Sequence, residues 1–335
     1  MDQFSAHLDR GWDLVQRGDT RGAEASARRA LELDPQSPEA HNLLGYVAAL
    51  EGESAEAVES YRQAIALDDT YLEAMLNAAE VYIHPLGAFD DAIAMCDQAL
   101  ELADTDDELI DALLLKFDAL LGKGDTDEAR RTLARVPEGP YENASHTFLV
   151  GRAFYEIGDV ARAADLAREA TEREPSHPEA FYYLGLVRDE QGDARGATEA
   201  FVRARQLDLE LSPPSWSPPR ELFQKTAERA VLGLDPVLAR YVRGAVVYAS
   251  DVPGLELVAD GVDPRALVLL DGVTPPDDPR PPPSCVRIFL YQRNIERVAG
   301  SADALDQETS AALEREITAT FLEGETRQRD VRELN

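Results

Sequence analysis

The chain has few of the residues with which enzymes hold metals or form covalent intermediates, and those it has are scattered. Its two cysteines, Cys96 and Cys285, lie in different segments and read as reduced structural thiols rather than a disulfide framework or metal site. Its five histidines, His7, His41, His84, His146 and His177, all precede residue 178. Single ones such as His177 before Pro178 read as turn or surface residues. There is no GxxxxGK[ST] or GxGxxG phosphate loop and no GxSxG nucleophile elbow. No uncharged apolar run reaches the roughly 18 residues that a membrane-crossing helix needs, so membrane insertion is not expected. The opening Met1-Asp2-Gln3-Phe4 has neither the basic stretch nor the apolar run of a secretory signal, which makes the cytoplasm the expected compartment.

Positive charge is also scarce. Lys and Arg number 33 against 64 Asp and Glu, a net charge of −31. Binding to a phosphate backbone needs a basic surface, so nucleic acid is not an expected partner. From Met1 to Arg220 the count is 44 acidic to 20 basic residues, a balance of −24; from Glu221 to Asn335 it is 20 to 13, or −7. Such a surface serves solubility, or it steers a basic partner.

What the chain does have is a repeat. Ala23 and Ala57 are 34 residues apart, Ala92 follows after one inserted residue, Ala129 supplies a further unit, and Ala163 and Ala197 are again 34 apart. A second row keeps step at Ala30, Ala64, Ala99, Val136, Ala170 and Ala204. Two small rows seven residues apart share one helix face and let neighbouring helices approach closely, as stacked hairpins must if each is to bury a face it cannot bury alone. Gly11, Gly45, Gly151 and Gly185 fall in the first helices, where a missing side chain permits close crossing. Gly18-Asp19, Gly52-Glu53, Gly124-Asp125, Gly158-Asp159 and Gly192-Asp193 end one helix and start the next. Asp34-Pro35 and Glu174-Pro175 close two of the hairpins.

These residues resemble the tetratricopeptide family over about residues 4 to 210, which implies an α-solenoid of about six helical hairpins. Repeats three and four depart from the pattern, with Ala79 and Phe117 at the glycine position and an insertion near His84-Pro85-Leu86. The resemblance implies that the fifth and ninth residues of each hairpin line a concave groove. Those residues are Leu8 and Trp12, Asn42 and Tyr46, Leu76 and Glu80, Leu114 and Asp118, Phe148 and Arg152, and Tyr182 and Leu186. The candidate partner-binding set is Trp12, Asn42, Tyr46, Glu80, Asp118, Phe148, Arg152 and Tyr182. With Arg152 its one cation, the row lacks the basic residues needed to clamp a C-terminal carboxylate. It suits a basic and apolar peptide or protein segment. Alternatively, Trp12 and Tyr46 pack between neighbouring hairpins.

Four prolines between Pro213 and Pro219 rule out a continued helix and mark a linker, residues 212–220. Beyond it the pattern gives helices near Arg220–Leu232 and Pro236–Arg243 and a strand at Ala245–Ala249. An apolar run follows at Leu267–Leu270, then a proline-rich loop at Thr274–Ser284, a strand at Val286–Tyr291 with Ile288 and Leu290 alternating, and a helix at about Ala302–Phe321. The sequences Leu269-Leu270-Asp271-Gly272-Val273, Val286 to Arg297 and Leu313 to Leu322 resemble the small zincin-like metallopeptidases, whose HExxH helix binds zinc. Arg315 stands where the first zinc ligand belongs and Ala319 where the second does; only Glu316 keeps its chemical type. The resemblance implies a catalytically dead domain with no metal and no cofactor.

The expected architecture is therefore mainly α: a solenoid at 1–211, the linker at 212–220, a degenerate metallopeptidase-like α+β domain at 221–325, and a polar tail at 326–335. The expected function is a non-enzymatic protein-interaction scaffold whose C-terminal domain is a second binding surface. The alternative is a metal-dependent hydrolase with an unusual site that uses Glu316 as general base.

Overall fold

Residues 2–273 and 284–323 are described by the structure, a computed structural model. The loop expected at Thr274–Ser284, save Ser284 itself, and residues 324–335, which include the expected tail, lie outside them. The chain is mainly helical and divides into two compact units, Met1–Arg173 and Glu174–Asn335.

The first unit holds five hairpins: α1 (Gln3–Gln16) with α2 (Thr20–Leu33), α3 (Pro38–Leu50) with α4 (Ser54–Leu67), α5 (Leu72–Ile83) with α6 (Phe89–Leu102), α7 (Asp106–Lys123) with α8 (Thr126–Leu133), and α9 (Ala144–Glu156) with α10 (Val160–Arg173). The turns follow from their residues. Gly18 takes a φ of 73°, a left-handed conformation that side chains resist, and Asp19 then accepts a hydrogen bond from the Gly22 amide at 3.0 Å to start α2. The alanine rows form the contact surfaces, with Ala23, Ala57, Ala92, Ala129 and Ala163 all fully buried. Gly45 shows why close crossing demands glycine: a Cβ there would lie 2.7 Å from the Tyr61 ring of the paired helix. One expectation fails in the fourth hairpin. Helix α8 stops at Leu133, so Val136 lies beyond it, half-buried, and does not extend the second row.

The first helices touch in sequence order, α1 to α3 to α5 to α7 to α9, and form a continuous wall.

In the second unit a sixth hairpin, α11 (Pro178–Glu190) and α12 (Ala194–Glu210), is followed by α13 (Arg220–Leu232), α14 (Pro236–Ala239), β1 (Val246–Ser250), α15 (Leu255–Ala259), β2 (Val268–Asp271), β3 (Arg287–Tyr291), α16 (Gln292–Ala299) and α17 (Leu305–Ile317). Helix α17 runs on into a wider π-helical turn, Thr318–Glu323. The sheet order is β1-β3-β2. Strand β1 pairs parallel to β3, with Val247 opposite Ile288, and β2 pairs antiparallel, with Leu270 also opposite Ile288. Ile288 and Leu290 are fully buried in a core shared with Phe223, Ala227, Leu313 and Ile317 of α13 and α17. The outer edge of β1 is blunted by one side chain: Gln224 donates to the Val247 carbonyl at 3.0 Å and accepts from the Ala249 amide at 2.7 Å.

Helices α15 and α16 are not expected from the pattern. Helix α16 evades detection because the residues it buries are largely polar, Gln292, Asn294 and Glu296 beside Ile295, against the usual rule of an apolar inner face. Its partners explain the burial. Asn294 donates to the carbonyls of Pro264 and Ala266, and Gln292 donates to the Pro218 carbonyl and to Glu296. The proline-rich stretch after α12 is thereby tied down. Ser217 donates to Glu296 at 2.6 Å, and Trp216 packs against the core.

Among the described residues no helix is long and apolar enough to cross a membrane.

Candidate functional site

The wall of first helices in the first unit carries two adjoining cavities. One, of about 510 Å³, is lined by Glu73, Leu76, Asn77, Glu80, Ile83, His84, Asp111, Leu114, Leu115, Asp118, Leu149 and Arg152. The other, of about 250 Å³, shares Asn77, Glu80 and His84 with it and adds Tyr46, Ala49, Leu50, Tyr61, Val81 and Pro85. The larger cavity thus sets four carboxylates against one guanidinium around a leucine and isoleucine surface. The whole unit is acidic, with 36 Asp and Glu to 15 Lys and Arg over residues 1–173.

The structure sorts the eight candidate residues. Tyr46, Glu80, Asp118 and Arg152 line these cavities. Trp12 packs against the core of the first two hairpins and meets the Tyr46 ring edge-on at 5.4 Å, so it packs between hairpins. Asn42 is fully buried. Its amide donates to the Tyr71 hydroxyl at 3.3 Å and to Glu73 at 3.2 Å, and its oxygen accepts from Asn77 at 3.1 Å, which knits two hairpins together and leaves nothing for a ligand. Burial, with Glu73 the next cause, pushes the Tyr71 hydroxyl up to about 12. Phe148 is buried. Arg152 is engaged by Asp118, which accepts from one of its terminal nitrogens at 2.7 and 2.8 Å.

Glu80 differs from its neighbours. It is exposed and, among the described residues, has no side-chain hydrogen bond or ion pair. Its field reaches Tyr61, whose hydroxyl is raised above its ordinary range by burial first and by Glu80 and Tyr46 next.

Tyr182 lies in the second unit and is already occupied. Its hydroxyl donates to Asp263 at 3.0 Å, and the Arg265 guanidinium stacks 4.3 Å from its ring centre. The same guanidinium donates to Glu179, and to both oxygens of Asp208 at 3.2 Å. Asp208 is 2% exposed and also pairs with Arg297 at 2.7 Å. Burial works against the charge on Arg265, but Glu179 and Asp208 more than offset it and hold its pKa above the ordinary value. Arg293 completes the arrangement by donating to the Asp208 and Leu211 carbonyls, both at 2.9 Å, and so satisfies the end of α12. None of this was legible beforehand, because the partners of Tyr182 and Glu179 lie more than 80 residues away.

The positions aligned with zinc ligands do not form a metal centre. Arg315 is 59% exposed and pairs with Glu308 at 3.5 Å, while Ala319 is exposed and offers no lone pair. Glu316 is half-buried; burial raises its pKa, opposed by a hydrogen bond from Thr320 at 3.3 Å. Among the described residues no group of three or more His, Cys, Asp or Glu is placed to hold a metal ion. A guanidinium and a methyl group do not fit zinc.

Comparisons with known proteins agree with the helical hairpins. The cellulose synthase 2 operon protein C of Komagataeibacter xylinus is 25% identical over 272 residues, 79% of this chain and 19% of that protein. The type IV pilus assembly protein PilF of Pseudomonas aeruginosa is 43% identical over 63 residues, 19% of this chain and 25% of that protein. The matched stretches thus span a quarter or less of either relative. Among solved structures, Pseudomonas aeruginosa PilF superposes with a TM-score of 0.52 at 18% identity, covering 61% of this chain and 91% of that one. PilW, a type IV pilus biogenesis factor, gives 0.53 at 19% identity over 61% and 92%. At such identities these two structures speak for the fold alone. A tetratricopeptide repeat model matches residues 8–71, 52–107, 114–173 and 151–208, more than half of the 335 residues, and the chain belongs to the tetratricopeptide repeat family.

Proposed function

We propose that the chain is a protein-interaction scaffold that grips a basic and apolar segment of a partner in the groove of its first unit. The carrying observation is the pair of adjoining cavities, with Glu73, Glu80, Asp111 and Asp118 around Leu76, Leu114 and Leu149. The leucines offer apolar burial, at about 25 cal/mol per Å² removed from water, while the carboxylates favour a cationic partner and speed its approach. The second unit serves as a further binding surface and performs no catalysis. Its sequence resembles zincin-like peptidases only in part, and Arg315 and Ala319 stand where that chemistry would need zinc ligands. Relatives named for pilus assembly and for a cellulose synthase operon favour an accessory of a larger assembly over a free-standing enzyme.

Selection of randomised peptides displayed against the full chain tests this reading. Peptides that pair Lys or Arg with Leu-like residues should be enriched, and Glu80→Lys should abolish that enrichment. Enrichment that is unchanged by Glu80→Lys would remove the groove from the account.

A further inference from the structure

We propose that the groove seats one arginine side chain of its partner between the Tyr46 ring and the Glu80 carboxylate. This rests on the groove reading above and adds the identity of the cation and its place. In the second unit a first helix of the repeat already holds a guanidinium. Arg265 lies over the Tyr182 ring at 4.3 Å while Glu179, one turn away on the same helix, accepts from it and Asp208 accepts on its other side. The recipe is an aromatic face, carboxylates at the edge of the planar cation, and little water: the Arg265 side chain is 11% exposed.

The first unit brings two of those ingredients, an aromatic ring and a carboxylate, to one place, although Glu80 there is exposed. Tyr46 and Glu80 line the same cavity of about 250 Å³, with Ala49, Leu50 and Val81 supplying apolar surface. The other groove carboxylates have partners: Glu73 accepts from Asn42, Asp111 faces His146 at 2.8 Å, and Asp118 holds Arg152. Glu80 alone of the four has none among the described residues. A carboxylate kept unpaired beside an aromatic ring suits a cation brought by a partner. The ring selects guanidinium over ammonium, because the planar, weakly hydrated guanidinium can stack while it donates at its edge.

Calorimetric titration of the full chain with three capped pentapeptides, Leu-Leu-X-Leu-Leu with X as arginine, lysine or citrulline, tests the seat. Citrulline keeps the shape and loses the charge. The arginine peptide should bind about fivefold more tightly than the citrulline peptide, from an exposed ion pair plus ring stacking, with lysine between them. Glu80→Gln should erase that difference, while Glu101→Gln on α6, the same change of charge away from the cavities, should preserve it. Both substituted residues are exposed, so the fold is kept. Equal binding of arginine and citrulline peptides, or a preference that survives Glu80→Gln, overturns the seat but leaves the groove standing. Lysine matching arginine overturns the choice of guanidinium. Failure of all three peptides to bind overturns the groove reading itself.

Discussion

Replacing Arg265 with alanine should cost the second unit about 2–3 kcal/mol. Breaking a buried ion pair costs roughly 3–5 kcal/mol because an uncompensated charge is left behind. Asp208, 2% exposed, would be left with Arg297 as its remaining cation, so part of that penalty is avoided. Lost stacking on Tyr182 adds a fraction of a kcal/mol. For a unit of this size each kcal/mol moves the midpoint by about 2–4 °C, so a fall of roughly 4–12 °C is expected. The chain has two tryptophans, and Trp216 packs against the core of the second unit. A Trp12→Phe background therefore makes fluorescence a reporter of that unit. Urea and thermal unfolding of Arg265→Ala, Asp208→Asn and the double variant close a mutant cycle. A loss under about 0.5 kcal/mol for Arg265→Ala, or strict additivity in the cycle, would refute the view that this ion cluster holds the sixth hairpin to the loop bearing Arg265.

Three other substitutions probe separate points. Gly45→Ala drives a methyl group into the Tyr61 ring and should cost about 1–3 kcal/mol in chemical denaturation of the first unit. Asn42→Leu removes the amide that joins Tyr71, Glu73 and Asn77, and the stranded polar groups should lower stability by about 1–3 kcal/mol, read in the same way. Glu316 has a folded-state pKa raised by burial above the ordinary glutamate value of 4.5, so its favourable contribution is present below that pH and is lost as pH rises through the folded pKa. Glu316→Gln should therefore raise the melting midpoint at pH 7 and change it little at pH 4; the opposite pattern would contradict the assigned direction.

The hairpins were readable because alanine and glycine at helix crossings are dictated by distance, and distance recurs with the repeat. Gly45 is an example: its place in the repeat points to a close crossing, and the structure shows that the Tyr61 ring is what it meets. What fills the groove positions was not readable in the same way. Register placed Asn42 in the groove row, but the neighbouring hairpin supplies Tyr71, Glu73 and Asn77, which turn its side chain into an internal tie. Tyr182 shared the register of Phe148, yet Arg265 reaches it from a loop that no local pattern connects to it. Helix α16 was hidden for a related reason: it is only eight residues long, and most of the residues it buries are polar, with Gln292 and Asn294 donating to backbone carbonyls of distant segments. Glu80 was legible as a groove residue, but its lack of a partner was visible only when the hydrogen bonds of its neighbours were known.

The most direct test of the central claim is hydrogen exchange of the full chain, with and without the tightest peptide from the display selection. Exchange should slow in α3, α5 and α7, around Tyr46, Leu76–Ile83 and Leu114–Asp118, and stay unchanged in the second unit. Slowing confined to residues 220–323 with the first unit untouched would contradict it.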